Sequence, residues 1–585
     1  MPPSRAQHPA RSMPYPARSV VVTLGATLVF TGAAWPVAIG SAVTTEPVAA
    51  RSVDSRRPQQ IVPPVRHTSV SPTVRGFAIP AAGAQDVSAA VPGGAGTEGG
   101  GRLVAHLRRP VEGFSMLGVT WASGVPTAGV SVQLRTLRDG RWSEWTQAHV
   151  DPDEGPAAAE DSSVRDGTSA VWVGESAAVD VAVYSTSTTP RGLRVDAIDP
   201  GTSASDLTSA SHAKTTAQPT APTTAALAGR ASTFPVMPDI VRREQWGADE
   251  SLGDQCWAPR FGTTFKMVFV HHTVGSSDYT RSESPAIVRG IYAYHTQSRG
   301  WCDIGYNFLV DRYGTVFAGR AGGIRNSVRG AHAGDYNVDT TGISLMGNFE
   351  DASPTDAMKS ALVRLIAWRM GTAYHGAYQG AIVEGKWFKR ISGHRDAMAT
   401  ACPGQRVYDW LPRLRKRVAQ RLGDYQSKIE QKWLSAGGPK GSFGSVRRGE
   451  QRESHGAHTT FQHGRIYTSA AGVFSLRPGP ILRKFVRGNE VNGDLGYPTS
   501  GIRGPRKGYA ADFAGGSIFW SKATRNHILV RSVVLKRYRA ERAAIGPLGF
   551  PKTAVITSDK AAIARFQNGT ITFDRKTKKV TVTYS

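Results

Sequence analysis

Apolar and polar residues alternate with a period of two between residues 101 and 198, in "FSMLGVTWAS", "VSVQLRTLRDGRWSEWTQA", "SAVWVG" and "AAVDVAVYST". Strand side chains point alternately to opposite faces, so this stretch predicts a small all-β sandwich, with "RDG" marking a turn. Trp142 and Trp145 are expected in its buried core rather than on a sugar-stacking surface. The pattern changes after a nearly uncharged Ser/Thr/Ala/Pro-rich stretch at 199–232, which reads as a linker. From 233 to 426, "KMVFVHH", "GYNFLVDRYG", "TVFAGR" and "GISLMGNF" predict strands. "SPAIVRGIYAYHTQ" and "SPTDAMKSALVRLIAWRMGTAY" predict helices, each opening on a Ser N-cap followed by Pro at the first helical position. In the second, Met358, Ala361, Leu362, Leu365 and Ile366 fall at helical spacing and give one buried stripe. Strands interleaved with helices predict an α/β domain, a mixed sheet flanked by helices, large enough for its own core.

The last part of the chain, 427–585, repeats. "GSFGSV" at 441, "GDLGYPTS" at 493 and "GPLGFPKT" at 546 precede "TTFQHGRIYTS", "ADFAGGSIFWS" and "ARFQNGTITFD". Phe461, Phe513 and Phe566 stand 52 and 53 residues apart, and Gly464, Gly516 and Gly569 keep that spacing. Two landmarks with one period predict a repeat array whose units do not bury their own faces alone. The first copy lacks the Leu and Pro of the motif and reads as a worn or capping unit. The expected architecture is multidomain: an all-β sandwich, an α/β domain and a repeat array.

The first 42 residues add a compartment. Arg5, Arg11 and Arg18 precede "SVVVTLGATLVFTGAAWPVAIGSA", the basic region, apolar run and small-residue exit of a secretory signal, with cleavage expected near Ala42. The run is short and broken by Gly, Thr and Pro, and no later segment is apolar enough to span, so stable membrane insertion is not expected. Residues 43–100, rich in Pro, Ala, Gly and Val, read as a flexible stalk. Lys and Arg number 71 against 45 acids, a net charge of +26. In an exported chain this excess points away from nucleic acid and toward anionic polymers of the cell envelope.

The candidate chemistry centres on "GHRDAMATACPG", where His394 and Cys402 stand eight positions apart. They can be two ligands of one metal, a nucleophile with its base, or unrelated core residues. The chain has 3 cysteines. In an exported protein two are expected to pair, here Cys256 with Cys302, which leaves Cys402 needing a reason to stay reduced. Zinc supplies one, because it holds the thiolate away from oxidants. A catalytic zinc takes three protein ligands, and the third candidates are His271, His272, His295, His332 and His375. His271 and His272 end one apolar strand, so only one of the two enters a given pocket. Spacing does not choose between them.

"VFVHHT", "CDIGYNFLVDRYG", "GAHAGDYN", "GISLMGNF" and "GHRD…TACPG" occur in an order that resembles the N-acetylmuramoyl-L-alanine amidase / peptidoglycan-recognition-protein family, from about Phe234 to Leu422. The resemblance implies one Zn²⁺ held by His271, His394 and Cys402, catalytic roles for Tyr306 and Thr400, and substrate contacts from Arg320, His332 and Asn337. Thr400 stands where phage members carry Lys and resembles bacterial and animal amidases. One departure is Ala318-Gly319-Arg320, where relatives often read Glu-Gly-Arg. The implied reaction is hydrolysis of the amide joining the lactyl group of N-acetylmuramic acid to L-Ala in peptidoglycan. The repeats resemble the LGFP repeats of secreted actinobacterial proteins, implying cell-wall attachment through an anionic or arabinogalactan-like polymer. Two other readings compete: a non-catalytic peptidoglycan-recognition or wall-attachment protein, and a thiol hydrolase using Cys402 with His394. The full ligand set and Tyr306 favour the zinc enzyme, secreted or associated with the cell wall.

Overall fold

The computed structural model describes residues 68–83, 101–124, 128–150, 154–156, 164–203, 206, 234–253, 258–504 and 507–585. The expected signal segment, much of the expected stalk and most of the expected linker lie outside them.

The N-terminal strands form one hydrogen-bonded network in the order Thr73–Ala78, Arg194–Asp199, Arg102–Ala122, Val171–Ser185, Val130–Arg138 and Arg141–Trp142. Thr146–Ala148 and Arg165–Gly167 pair onto it from the side. Val179, Val181 and Val183, two apart, are fully buried on its inner face beside Leu117, Val119 and Trp121. Two expectations need correcting. The stalk does not run unbroken to residue 100: Thr73–Ala78 is an edge strand of this sheet, its Thr73 opposite Asp199. Trp142 and Trp145 are only half-buried, because Trp142 sits on a two-residue edge strand. The Arg135 guanidinium covers both rings, and Arg108 also lies over Trp142.

The second domain is built on a six-stranded mixed sheet in the order Ile391–Gly393, Met267–His272, Thr340–Leu345, Phe308–Val310, Val316–Ala318, Ile240–Val241. Met267–His272 runs parallel to both neighbours and is buried on both faces, which explains its unbroken apolar sequence. Val268 and Val270 pack toward the helices Asp356–Thr372 and Gln405–Leu422, while Met267 and Phe269 meet Ala333 and Phe388 on the other side. Over the far strands of the sheet, Ile287 and Ile291 of helix Ser284–Ala293 share a core with Leu309 and Phe317.

The helix starts differ from expectation. Helix Asp356–Thr372 is capped by Thr355, not Ser353: its hydroxyl accepts from the Met358 amide three residues on. The first helix has Ser284 inside its first turn and Glu283 at the cap position, with no side-chain cap bond. The expected stripe of Met358, Ala361, Leu362, Leu365 and Ile366 is fully buried, and Ala367, Trp368 and Met370 are buried as well. More than one face of this helix is therefore covered, from one side by the sheet and from others by the C-terminal helix and the first repeat.

The sandwich is docked against the second domain. Met116, Trp172 and Ile198 share one core with Ile291, Tyr292 and Tyr294. At Gly118 a Cβ would stand 2.0 Å from the Tyr294 ring, so the approach requires glycine there. The Tyr294 hydroxyl donates to the Thr168 carbonyl at 2.8 Å. The start of the expected linker is held too: the buried Arg289 donates to the carbonyls of Pro200 and Gly201 and pairs with Asp206 at 2.7 Å.

Three sheets follow, spanning Val446–Leu476, Gly508–Val530 and Ile556–Tyr584, each preceded by a short helix: Lys428–Ser435, Pro480–Arg487 and Val533–Ala540. The repeating Phe and Gly face each other across tight hairpins, Phe461 with Gly464, Phe513 with Gly516 and Phe566 with Gly569. Each helix wedges an aromatic against that Phe: Trp433 on Phe461 at 5.8 Å, Phe485 on Phe513 at 4.4 Å and Tyr538 on Phe566 at 4.3 Å between ring centroids. The second and third of these helices also pack on the sheet before them, Phe485 on Tyr467 and Tyr538 on Phe519. Each junction thus shares one core. The first unit closes on the α/β domain itself, in one cluster holding Trp433, Phe443, Phe461 and Leu362.

Candidate active site

The central strand ends in His271 and His272, whose side chains leave on opposite faces. His271 Nδ1 lies 3.6 Å from Cys402 Sγ, and the His271 and His394 rings are 4.6 Å apart. The ligand atoms of His271, His394 and Cys402 all fall within 4.8 Å of one another, and all three residues are buried. Three elements supply them: the central strand, the turn after the neighbouring Ile391–Gly393 strand, and the segment entering helix Gln405–Leu422. Burial, reinforced by the neighbouring His394, His332 and His272, holds His271 well below the ordinary histidine range, so the imidazole is neutral and its nitrogen lone pair is available. Two imidazoles and a thiol converging on one point form a donor set that suits zinc.

His332 was expected to touch substrate, and the structure places it elsewhere. It is fully buried behind the trio, its Nδ1 3.1 Å from His271 Nε2. Burial pushes its pKa down to about 3, so it stays neutral and fixes which His271 nitrogen faces Cys402. Asn337 is fully buried as well. Its carbonyl oxygen accepts from the His332 and Ala333 amides at 2.8 and 3.0 Å, which shapes the loop carrying His332. Arg320 is half-buried at the rim and donates to the Ile304 carbonyl at 3.3 Å. Thr400 is half-buried and its hydroxyl accepts from the Cys402 amide at 3.1 Å, bracing the turn that presents the thiol.

Tyr306 stands beside the trio, its ring 5.5 Å from that of His271. Burial raises its pKa well above the ordinary value, with the charges of Glu154 and Cys402 acting the same way, so the hydroxyl remains a donor. It donates to Glu154, a buried residue of the sandwich domain. Sequence reasoning missed Glu154 because the two lie 152 positions apart. The available signal was compositional: "VDPDEGPAAAED" holds five acids and no base in a chain of net charge +26.

The remaining histidine candidates lie off the trio. His272 turns to the opposite face, where its Nδ1 accepts from the Phe349 amide at 3.3 Å. His295 accepts from the Gly305 amide at 3.1 Å and lies on Trp301, 4.3 Å between centroids. His375 donates to the Phe265 carbonyl at 2.7 Å. Cys302 is disulfide-bonded, Cys402 is a buried thiol outside any disulfide, and Cys256 lies outside the described residues.

Residues 261–405, which contain the trio, Tyr306 and Thr400, match the family described as N-acetylmuramoyl-L-alanine amidase. Residues 72–225 match the Rv3811 N-terminal galactose-binding domain-like family, and 495–546 match the LGFP repeat. Among solved structures, wild-type Drosophila PGRP-LB is 28% identical, covering 29% of this chain and 91% of that one, with a TM-score of 0.25. The endolysin N-acetylmuramoyl-L-alanine amidase LysCS from Clostridium intestinale is 26% identical over 29% of this chain and 91% of its own, with a TM-score of 0.22. Peptidoglycan recognition protein 1 of Bos taurus is 34% identical over 170 residues, 29% of this chain and 80% of its own length. Peptidoglycan-recognition protein SC1a/b of Drosophila simulans is 33% identical over 170 residues, 29% of this chain and 82% of its own length, and through this domain the chain belongs to the peptidoglycan-recognition protein family.

Proposed function

We propose that the protein is a secreted zinc amidase that hydrolyses the bond between the lactyl group of N-acetylmuramic acid and L-Ala of peptidoglycan stem peptides. We further propose that its C-terminal repeats hold it at the cell wall. The observation that carries this reading is the complete His271–His394–Cys402 donor set with Tyr306 beside it. Zinc bound there supplies Lewis acidity for the scissile carbonyl and for water.

The chain's own residues divide the remaining work. His332 holds His271 in one orientation. Tyr306, kept protonated by its surroundings, offers an O–H to an oxygen that gains charge as the amide is attacked. Thr400 fixes the turn behind Cys402. The Cys402 thiol would serve the metal rather than nucleophilic catalysis, because it converges with the His271 and His394 imidazoles deep in the fold. The half-buried Arg320 places positive charge at the rim of the site, where carboxylates of a stem peptide would arrive.

The test is release of peptide amines from purified peptidoglycan by the zinc-loaded chain, followed in the presence of a chelator and after zinc is restored. Release that stops and returns with the metal supports the amidase. Peptidoglycan binding with no release under any metal condition would place the protein with the non-catalytic recognition proteins.

A further inference from the structure

The groove around Tyr306 and Asn337 holds a piece of this chain. Between strands Thr146–Ala148 and Arg165–Gly167, the sandwich domain sends Glu154, Gly155 and Pro156 into the neighbouring domain. The Glu154 carboxylate accepts from the Tyr306 hydroxyl and lies 3.5 Å from the Ser169 hydroxyl. The Gly155 carbonyl accepts from Asn337 Nδ2 at 2.9 Å. Gly155 has a φ of +148°, and a Cβ there would stand 3.1 Å from the Trp301 ring, so the backbone lies close against the indole. Pro156 borders a cavity of about 320 Å³ lined by Arg260, Arg320 and Arg329, and by Arg243, which pairs with Glu250 and Asp303 in the same lining.

A carboxylate and a main-chain carbonyl, set on an aromatic beside clustered guanidinium groups, are what an acidic peptide would present to this groove. With the segment seated, His271 and His394 are fully buried, and Tyr306 and Cys402 keep only 3% and 4% of their surface exposed. We infer that Glu154–Pro156 occupies the groove in place of an acidic stem peptide and keeps the full-length chain latent until the segment is displaced.

The geometry also says what moves. The body of the sandwich is fixed by its shared core with the Ser284–Ala293 helix and by the Tyr294–Thr168 bond, neither of which involves Glu154–Pro156. Displacing the segment would leave those contacts in place. The inference rests on the reading of this groove as the stem-peptide site, and the experiment separates the two.

The affinity of N-acetylmuramoyl-tripeptide is measured by calorimetry for the full chain and for Glu154→Ala, with chelator present so that nothing is hydrolysed. Peptide release is measured separately on the zinc-loaded proteins. Gly155→Val, which strains the backbone and collides with Trp301, opens the groove by a different route, and melting curves show that each variant is folded. Both variants are expected to bind at least tenfold more tightly than the parent chain and to release peptide at least tenfold faster. Equal binding by parent and variants overturns the inference while leaving the groove assignment intact. A tenfold loss of release by Glu154→Ala with unchanged binding also overturns it, and makes Glu154 a catalytic carboxylate. If parent and variants all fail to bind, the groove assignment falls and the inference falls with it.

Discussion

At the scale of single residues, the site depends on which nitrogen of His271 points forward. His332 sets this through a 3.1 Å contact in a pocket where burial keeps both rings neutral. Removing an outer partner of a ligating histidine typically costs about 10–100-fold in metal affinity. His332→Ala is therefore expected to weaken zinc binding by that factor in a competition titration, with melting behaviour at saturating zinc close to the parent. An unchanged zinc affinity would show that His271 needs no such support. The family resemblance named the three residues that the fold brings together, His271, His394 and Cys402, although spacing alone did not choose between His271 and His272. His332 was found in its motif but given the wrong duty, since nothing in "GAHAGDYN" says whether an imidazole faces outward or backs a neighbour. Glu154 was marked only by its acidic stretch, and its place at Tyr306 comes from the docking of two domains.

At the scale of elements, periodicity located the helices and strands, and local chemistry moved their ends. Ser-Pro reads as a helix start, yet the Thr355 hydroxyl reaches the Met358 amide and starts the helix two residues later. Thr355→Ala is expected to lower stability by about 1 kcal/mol, the usual worth of such a cap, read as a shift in denaturant midpoint. Ser353→Ala should be silent by comparison. Helix Lys428–Ser435 carries a second measurable feature. Burial, with some help from Glu450, pushes Glu430 up to about 7 from its ordinary 4.5. The folded chain then holds this proton over a range in which the unfolded chain has lost it. Stability from this group is thus fully present below about pH 4.5 and declines as pH rises toward about 7. Glu430→Gln should remove that slope, stabilising the protein at pH 8 relative to the parent and much less so at pH 5. The effect will be modest, because the side chain is half-exposed and screened.

At the scale of the whole molecule, the repeat period was plain in the sequence while its mechanical meaning was not. Trp433, Phe485 and Tyr538 each stand 28 residues ahead of Phe461, Phe513 and Phe566. The three differ in type, so the pattern is hidden until the helices are seen wedged against the sheets. Trp433 matters most, since it joins the first repeat to the α/β core. Trp433→Ala is expected to cost about 3–5 kcal/mol in that joint and to split the melting of the repeats from that of the α/β domain. A single unshifted transition would mean that Trp433 contributes little to the joint. The sandwich is likewise more than a spacer, because its core merges with the second domain and its acidic segment enters the groove.

A zinc amidase acting on the muramoyl–L-Ala bond leaves a defined set of fragments. The most direct measurement is mass spectrometry of the fragments left after zinc-loaded full-length chain, parent and Glu154→Ala, has acted on purified peptidoglycan. The account predicts intact stem peptides with a free L-Ala amine, glycan strands ending their side arms in free lactyl carboxylates, more of both from the variant, and neither with chelator present. Stem peptides still attached to every muramic acid, in a digest where both proteins bind the polymer and carry zinc, would contradict it.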